Sequence, residues 1–322
     1  MNLLAYFFLL FKAIIYGLTP FFTLELSKSC DVPDILALRF LLSFSVMWVL
    51  KQLKIIKVNI GIKNFVIKKH RLPNLGYLLL AGLFEPILYM FFETLGISMT
   101  SSITAAVILS LSPISSCILE WFIFKTHPTP MQGVFLACGI AGVIYIAVNT
   151  SVEGGESNLF GIIFMILAIV SGNMFCAFSK KSSDKYSAFD ITYISCMLGA
   201  FAFNAINIVR HIINGDILHY FDPYFEPKNI LGFIVLGIMS TIIATSMNNY
   251  AISRVAMSTH SAFGGISTVV TVLVGVFFGE EIIRAYHLVG FPLILIRMIG
   301  VSTISIMRDK KKHNNKNNLT CN

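Results

Sequence analysis

Apolar residues fall into long unbroken runs along this chain, and polar residues collect in short stretches between them. Runs bounded by Pro, Gly or charge predict helices over about 2–26, 34–52, 74–96, 101–124, 131–149, 159–179, 189–212, 230–252, 258–279 and 286–307, each near the ~20 residues a bilayer crossing needs. The two-residue alternation of a barrel strand does not occur in them. The expected fold is therefore an all-α integral membrane protein with ten transmembrane helices. The first 25 residues lack a basic start, carry Lys12 in mid-run and show no small-residue cleavage site. They are expected to stay in place as the first helix.

Composition narrows the class. Of 322 residues, 56% are hydrophobic and 12% charged, with a mean hydropathy of +0.78. A soluble chain carries about 25% charged residues, so a soluble enzyme is excluded. The net charge of +8 would suggest nucleic acid in a soluble protein, but here its placement explains it, and no nucleic-acid partner is expected. With the N-terminus inside, 17 basic residues fall in inner loops and the tail, including Lys51 to Arg71, Lys180, Lys181, Lys185 and Arg254. Only Lys28, Arg210, Lys228 and Arg284 fall outside. That asymmetry predicts cytoplasmic N- and C-termini in the plasma membrane. Six cysteines stand singly, without the spacing of a metal site or a disulfide framework. No cofactor or metal is implied.

The chain also resembles itself. A shift of 155 residues lays Leu80-Ala-Gly82-Leu-Phe on Val235-Leu-Gly237-Ile-Met, Gly96-Ile on Ala251-Ile, and Ser112-Pro113 on Ser267-Thr268. Glu93 then meets Asn248. With five spans in each half, the odd number turns the second copy upside down in the membrane, giving two inverted five-helix repeats over 1–150 and 151–307. Residues 308–322 form a basic cytoplasmic tail.

These features together resemble the drug/metabolite transporter superfamily, specifically the EamA-type ten-helix transporters. The residues that carry the likeness are Val32-Pro33 through Leu38-Arg39-Phe40, Phe92-Glu93-Thr-Leu-Gly96-Ile-Ser-Met-Thr-Ser-Ser102 and Ala105 to Pro113. Gly161 to Lys181, Asn249-Tyr-Ala251-Ile-Ser-Arg254 and Gly279-Glu280 complete it. The chain departs from the family at Lys125-Thr126, where Gly-Glu is usual, at Ser267-Thr268, where Pro is usual, and at Arg297, near a usually small residue. The resemblance implies a secondary active transporter that exports or exchanges small metabolites such as amino acids or amines by alternating access. A nutrient or small-cation importer of the same fold is the alternative. Proton coupling and a homodimer stay open, and the partners implied are a small-molecule substrate and the lipid bilayer. A membrane-embedded enzyme fits less well, because the chain has no Asp pair, His-Glu-x-x-His or Gly-x-Ser-x-Gly to supply the chemistry.

Charges inside spans cost about 2.5–3.5 kcal/mol each on insertion scales, so each one needs a reason. Lys12, Arg39, Arg297, Glu85, Glu93 and Glu120 are the six. Arg39 and Glu120 read as paired within the bundle or snorkelling. Lys12 and Glu85 lie near mid-depth, as a structural pair or with a substrate or proton role. Glu85, Tyr89 and Glu93 share one helical stripe by their i, i+4, i+8 spacing. On the other half, Asn248, Asn249 and His260 offer polar groups. Gly17 with Thr19 and Pro20, and Gly172 with Asn173, interrupt the helices that open each repeat. A central cavity is expected among the first, third, sixth and eighth helices with parts of the fourth and ninth, with Glu85, Tyr89, Glu93, Lys12, Asn248, Asn249 and His260 as candidate binding or coupling residues.

The orientation is testable by labelling. In a cysteine-free background, Gly155→Cys should react with an impermeant thiol reagent added outside intact cells, and Lys63→Cys should not. Outside labelling at residue 63 would reverse the assignment.

Overall fold

A computed structural model describes residues 3–59, 75–109, 159–255 and 263–279 continuously, together with His260 and scattered residues within 111–145 and 285–304. Among the described residues all regular structure is helical. Six helices are long and apolar enough to cross a membrane: α1 (Leu3–Ser27), α2 (Val32–Gln52), α3 (Leu75–Ser98), α5 (Leu159–Ser182), α6 (Ala188–Asn214) and α7 (Pro227–Ile252). Shorter described helices are α4 (Ser102–Leu109) and α8 (Gly264–Phe278). These elements match the first four and the sixth to ninth expected spans. Of the fourth span, α4 and scattered residues after it are described, and most of 131–149 and 286–307 lies outside the described residues, as do Glu120, Arg297 and the tail.

Local chemistry sets the helix ends. Pro33 sits in the first turn of α2, where its missing N–H costs nothing. α6 opens on a capping box: the Ser187 side chain accepts from the Asp190 N–H at 3.1 Å, and the Asp190 carboxylate accepts from the Ser187 N–H at 3.1 Å. It closes on Gly215 at φ 76°, a left-handed cap that glycine adopts without a Cβ penalty. α3 is broken in mid-course, whereas α7 continues as one helix. Both widen into π-helical geometry, over Leu83–Leu88 and over Ile234–Ala244. In α3, Pro86 excludes the preceding residue from helical geometry, and Glu85 is extended at φ −140°, ψ 116°. The 155-residue shift carries Leu83–Leu88 onto residues 238–243, inside the π stretch of α7.

The two halves of the chain interlock. α1 packs on α7 and α8, α2 on α6, and α5 on α3, so the main contacts join early helices to late ones. Close approaches occur where glycine leaves room. A Cβ on Gly17 would fall 2.5 Å from Val270 Cβ, and Thr271 Oγ1 donates to the Gly17 carbonyl at 2.7 Å. Gly96 and Gly161 face each other across α3 and α5, where a Cβ on Gly96 would lie 3.1 Å from the Gly161 oxygen. Phe40 and Phe203 stack at 5.5 Å between α2 and α6. Outward positions such as Phe7, Phe160, Phe201 and Phe277 are exposed, as a lipid-facing surface requires.

Charge is sorted along the bundle. One end gathers Lys28, bonded to Glu25, Arg210, bonded to Asp31 and Asp34, and Lys228, bonded to Glu226. The opposite end gathers Lys51 over the Tyr193 ring, Lys181 over Tyr77, and Arg254 over Tyr250. At the first end, buried Asp34 accepts from Asn207 Nδ2 at 3.0 Å and from Arg210 Nη1 at 3.0 Å. It also faces His211 Nε2 at 2.9 Å. One carboxylate thus ties α2 to the end of α6. Asp34→Ala should cost about 2–3 kcal/mol, the scale of charge-assisted bonds lost from buried partners. Unfolding of purified protein in detergent would measure it; an unchanged midpoint would mean that the cluster carries no stability.

Candidate functional site

The broken helix α3 and the π-widened helix α7 meet α1, α5 and the His260 region around a cavity of about 160 Å³. Its acidic wall is the α3 stripe of Glu85, Tyr89 and Glu93. Glu93 is buried and accepts from Tyr89 Oη at 2.6 Å. Glu85, at the break, is 9% exposed and makes no hydrogen bond or ion pair among the described residues. Its carboxylate borders the cavity uncommitted.

Facing it is a basic wall. Lys12 Nζ donates to Asn248 Oδ1 at 2.5 Å, lies 2.5 Å from His260 Nε2, and sits 5.6 Å from the centre of the Tyr16 ring. His260 Nε2 is itself 2.6 Å from Asn248 Oδ1. Lys12 therefore pairs with Asn248 and His260, and not with Glu85. Arg39 stands behind the cavity, fully buried; it donates from Nε to Thr241 Oγ1 at 2.8 Å and from Nη2 to Ser240 Oγ at 3.2 Å. Its Nη1 has no partner among the described residues. Arg39 is buried and not snorkelling, and it has no ion pair among the described residues; hydroxyls of the opposite half hold it.

The remaining lining is neutral, with apolar Met90, Leu109 and Ile169 beside hydroxyls and amides. Thr19 Oγ1 donates to Ser240 Oγ at 3.2 Å, Tyr16 and Thr245 hydroxyls meet at 3.1 Å, and Asn173 bonds Ser112 and Ser116. Gly172 leaves the space that Tyr89 occupies: a Cβ there would lie 3.0 Å from the Tyr89 ring. Four lining pairs are related by the 155-residue shift: Glu85 with Ser240, Glu93 with Asn248, Leu109 with Gly264, and Ser112 with Ser267. Equivalent positions of the two halves thus face one space.

Six of the seven candidate residues, Lys12, Glu85, Tyr89, Glu93, Asn248 and His260, line this cavity. Asn249 does not. It points between α5 and α6, accepting from Ser179 Oγ at 2.9 Å and donating to Thr192 Oγ1 at 3.1 Å. Adjacent helical residues point about 100° apart, so Asn248 and Asn249 cannot share a face. Tyr16 and Ser240 are lining residues that sequence reasoning did not select. Tyr16 lies one turn after Lys12, and Ser240 is the shift equivalent of Glu85; those two relations were the available signals.

With the geometry in place, the comparisons with known proteins decide the family. A model of the EamA-like transporter family matches residues 3–148 and again residues 159–303. The chain belongs to the EamA-like transporter family. This EamA-like chain is similar, at 29% identity over 308 residues, to "Uncharacterized transporter YcxC" of Bacillus subtilis (strain 168), covering 96% of this chain and 95% of that one. A Clostridium kluyveri protein named as an uncharacterized transporter is 25% identical over 266 residues, 80% of this chain and 83% of its own. One solved crystal structure aligns over 94% of this chain and 98% of that chain with a TM-score of 0.63 at 16% identity, a likeness of fold. The protein is thus a multi-pass membrane transporter.

The split between neighbouring asparagines gives a stability test. Asn249→Ala would take from the buried Ser179 hydroxyl the amide oxygen it donates to, while Thr192 keeps the Ala188 carbonyl and Ser246, and should cost about 1–3 kcal/mol. Thermal unfolding in detergent measures this; stability equal to wild type would show that the cross-link between α5, α6 and α7 is dispensable.

Proposed function

We propose that this EamA-like chain is a secondary active transporter that exports or exchanges small amino-containing metabolites, amino acids or amines, by alternating access. In this reading the two halves are inverted five-helix repeats, set in the cytoplasmic membrane with both termini inside. One observation carries it: a cavity lined by both halves holds the uncommitted Glu85 carboxylate. An acid without a hydrogen-bond partner inside a membrane protein is costly, and a substrate ammonium would supply that partner by a charge-assisted hydrogen bond. The opposite wall, with Lys12 and Asn248, suits a carboxylate on the same small molecule.

The irregular helices α3 and α7 support the same reading. The break in α3 and the π-helical widening at the shift-related place in α7 depart from regular helix near mid-membrane, and transporters place substrates at helix irregularities there. Rocking of one half against the other then exposes the cavity to each side in turn. Glu93, held by Tyr89, keeps that tyrosine over Gly172 at the cavity wall and sets the second acidic charge near the first.

The test is reconstitution in liposomes, with uptake and exchange of labelled amino acids, polyamines, choline and nucleobases followed with and without a pH gradient. Glu85→Gln keeps the shape and removes the charge. It should lower exchange of an amine substrate by tenfold or more, the size of about 1.4 kcal/mol of lost interaction. Glu93→Gln should have the smaller effect, because its hydrogen bond to Tyr89 survives as a neutral one. Normal transport by both variants would remove the acids from the mechanism.

A further inference from the structure

The connection between α6 and α7 has two faces. It runs from Gly215 to Glu226, with one 3-10 turn over Ile217–His219 and one α turn over Asp222–Phe225. Tyr220 is buried and Tyr224 half-buried, whereas Leu218, Phe221 and Phe225 are 91%, 47% and 79% exposed. The tyrosines bind the bundle. Tyr220 Oη donates to Asn204 Oδ1 at 2.6 Å, and its ring meets that of His211 at 5.3 Å. Tyr224 Oη donates to the Leu38 carbonyl, and its ring lies 4.8 Å from that of Phe233. Asn229 Nδ2 adds a bond to the Pro223 carbonyl at 3.2 Å.

These bonds fix the depth of the segment. At 1.5 Å per residue, Asn204 lies about 15 Å short of the end of α6 at Asn214, and Leu38 and Phe233 each lie about 9 Å inside the first residues of α2 and α7. The connection therefore folds back beside three spanning helices and does not stand above them in water. Lipid-facing surface runs up to it from both sides. Ile206, Val209, Ile212 and Ile213 are exposed on the last turns of α6, and Ile230 and Leu231 on the first turns of α7. We infer that residues 217–225 lie in the membrane interface, with the tyrosines against the bundle and Leu218, Phe221 and Phe225 among the acyl chains just below the lipid headgroups.

Large apolar side chains grouped on one exposed face are what a water-facing loop avoids and what an interfacial segment uses to seat itself. The polar residues beside them fit the headgroup level. His219 Nδ1 lies 2.6 Å from Asp222 Oδ2, and Lys228 pairs with Glu226 at 3.2 Å, so exposed charged groups meet partners along the same strip. Charge also says which lipid is needed. Residues 216–228 hold Asp216, Asp222 and Glu226 against Lys228, the opposite of the basic clusters that recognise anionic lipid. Apolar area seats the segment and headgroup charge does not, so a zwitterionic bilayer serves as well as an anionic one. Tied to α2, α6 and α7, the seated segment sets the depth at which α6 ends and α7 begins.

Nitroxide labels test the seat. In a cysteine-free background, Leu218→Cys, Phe221→Cys and Phe225→Cys are labelled one at a time, with His219→Cys and Asp222→Cys, both at exposed polar positions, for comparison. Electron paramagnetic resonance in phosphatidylcholine vesicles compares relaxation by oxygen, which concentrates in acyl chains, with relaxation by a water-soluble nickel chelate. The oxygen-to-nickel ratio at 218, 221 and 225 should exceed that at 219 and 222 severalfold, and should hold when phosphatidylglycerol is mixed in. Equal ratios at all five positions would put the face in water and overturn the inference. Exclusion of both reagents from 218, 221 and 225 would mean a protein cover, such as a second copy of the chain, and would overturn it as well. So would a contrast that needs phosphatidylglycerol. If a labelled variant fails to fold, Leu218→Trp in a chain carrying Trp48→Phe and Trp121→Phe decides: quenching by phospholipids brominated near the top of the acyl chain supports the seat, and its absence overturns it. No substrate, transport direction or membrane side enters either measurement, so the transporter reading stands or falls separately.

Discussion

Lipid offers no hydrogen bonds, and this bundle is arranged around polar groups that it must satisfy from within. For several of the groups at the centre, the partners come from the opposite half of the chain. Arg39 of the first half is held by Ser240 and Thr241 of the second, Lys12 by Asn248 and His260, and Thr19 by Ser240. Asn173 of the second half is held by Ser112 and Ser116 of the first. These groups of each half are satisfied only when the other half is in place. The dense packing of α1 on α7 and α8, and of α5 on α3, is the geometric form of the same dependence.

That exchange of partners also explains where the cavity lies. Interlocked halves meet along a seam, and the seam is wide where α3 and α7 lose regular geometry. Proline forces the break in α3 and leaves Glu85 extended, so its carboxylate escapes the hydrogen bonding that fixes Glu93 and Arg39. In α7 the π stretch puts Ser240 at the equivalent place, with Asn248 two turns on, opposite Glu93. Small residues let the wall close in: Gly172 admits the Tyr89 ring, and Gly17 admits Val270. The same seam that keeps buried charges tolerable therefore leaves room for a ligand.

The ends of the bundle follow a simpler physics. The charged cluster of Asp31, Asp34, Arg210 and His211 joins the starts and ends of helices at one face, and Lys–Tyr and Arg–Tyr contacts mark the other. Side chains that are amphipathic by construction find water at one tip and apolar surface along the stem. These contacts position the helix ends, while the cavity stays between them.

The sequence by itself determined the class of molecule and much of its layout. Unbroken apolar runs with so few charges have no soluble solution, so the helices and their approximate bounds were legible from hydropathy alone. The stripe of Glu85, Tyr89 and Glu93 was legible too, because helical spacing is a local property. So was the 155-residue shift, which compares residues without knowing where they sit. Tertiary structure decided the rest, because partners far apart in the chain are set by packing and not by spacing. It gave Lys12 to Asn248 and His260 instead of Glu85, drew Arg39 away from the interface onto two hydroxyls, and turned Asn249 away from the cavity that Asn248 lines. It also brought in Tyr16 and Ser240, whose side chains carry no charge and so send no signal through an apolar run until a neighbouring helix supplies the other half of the bond.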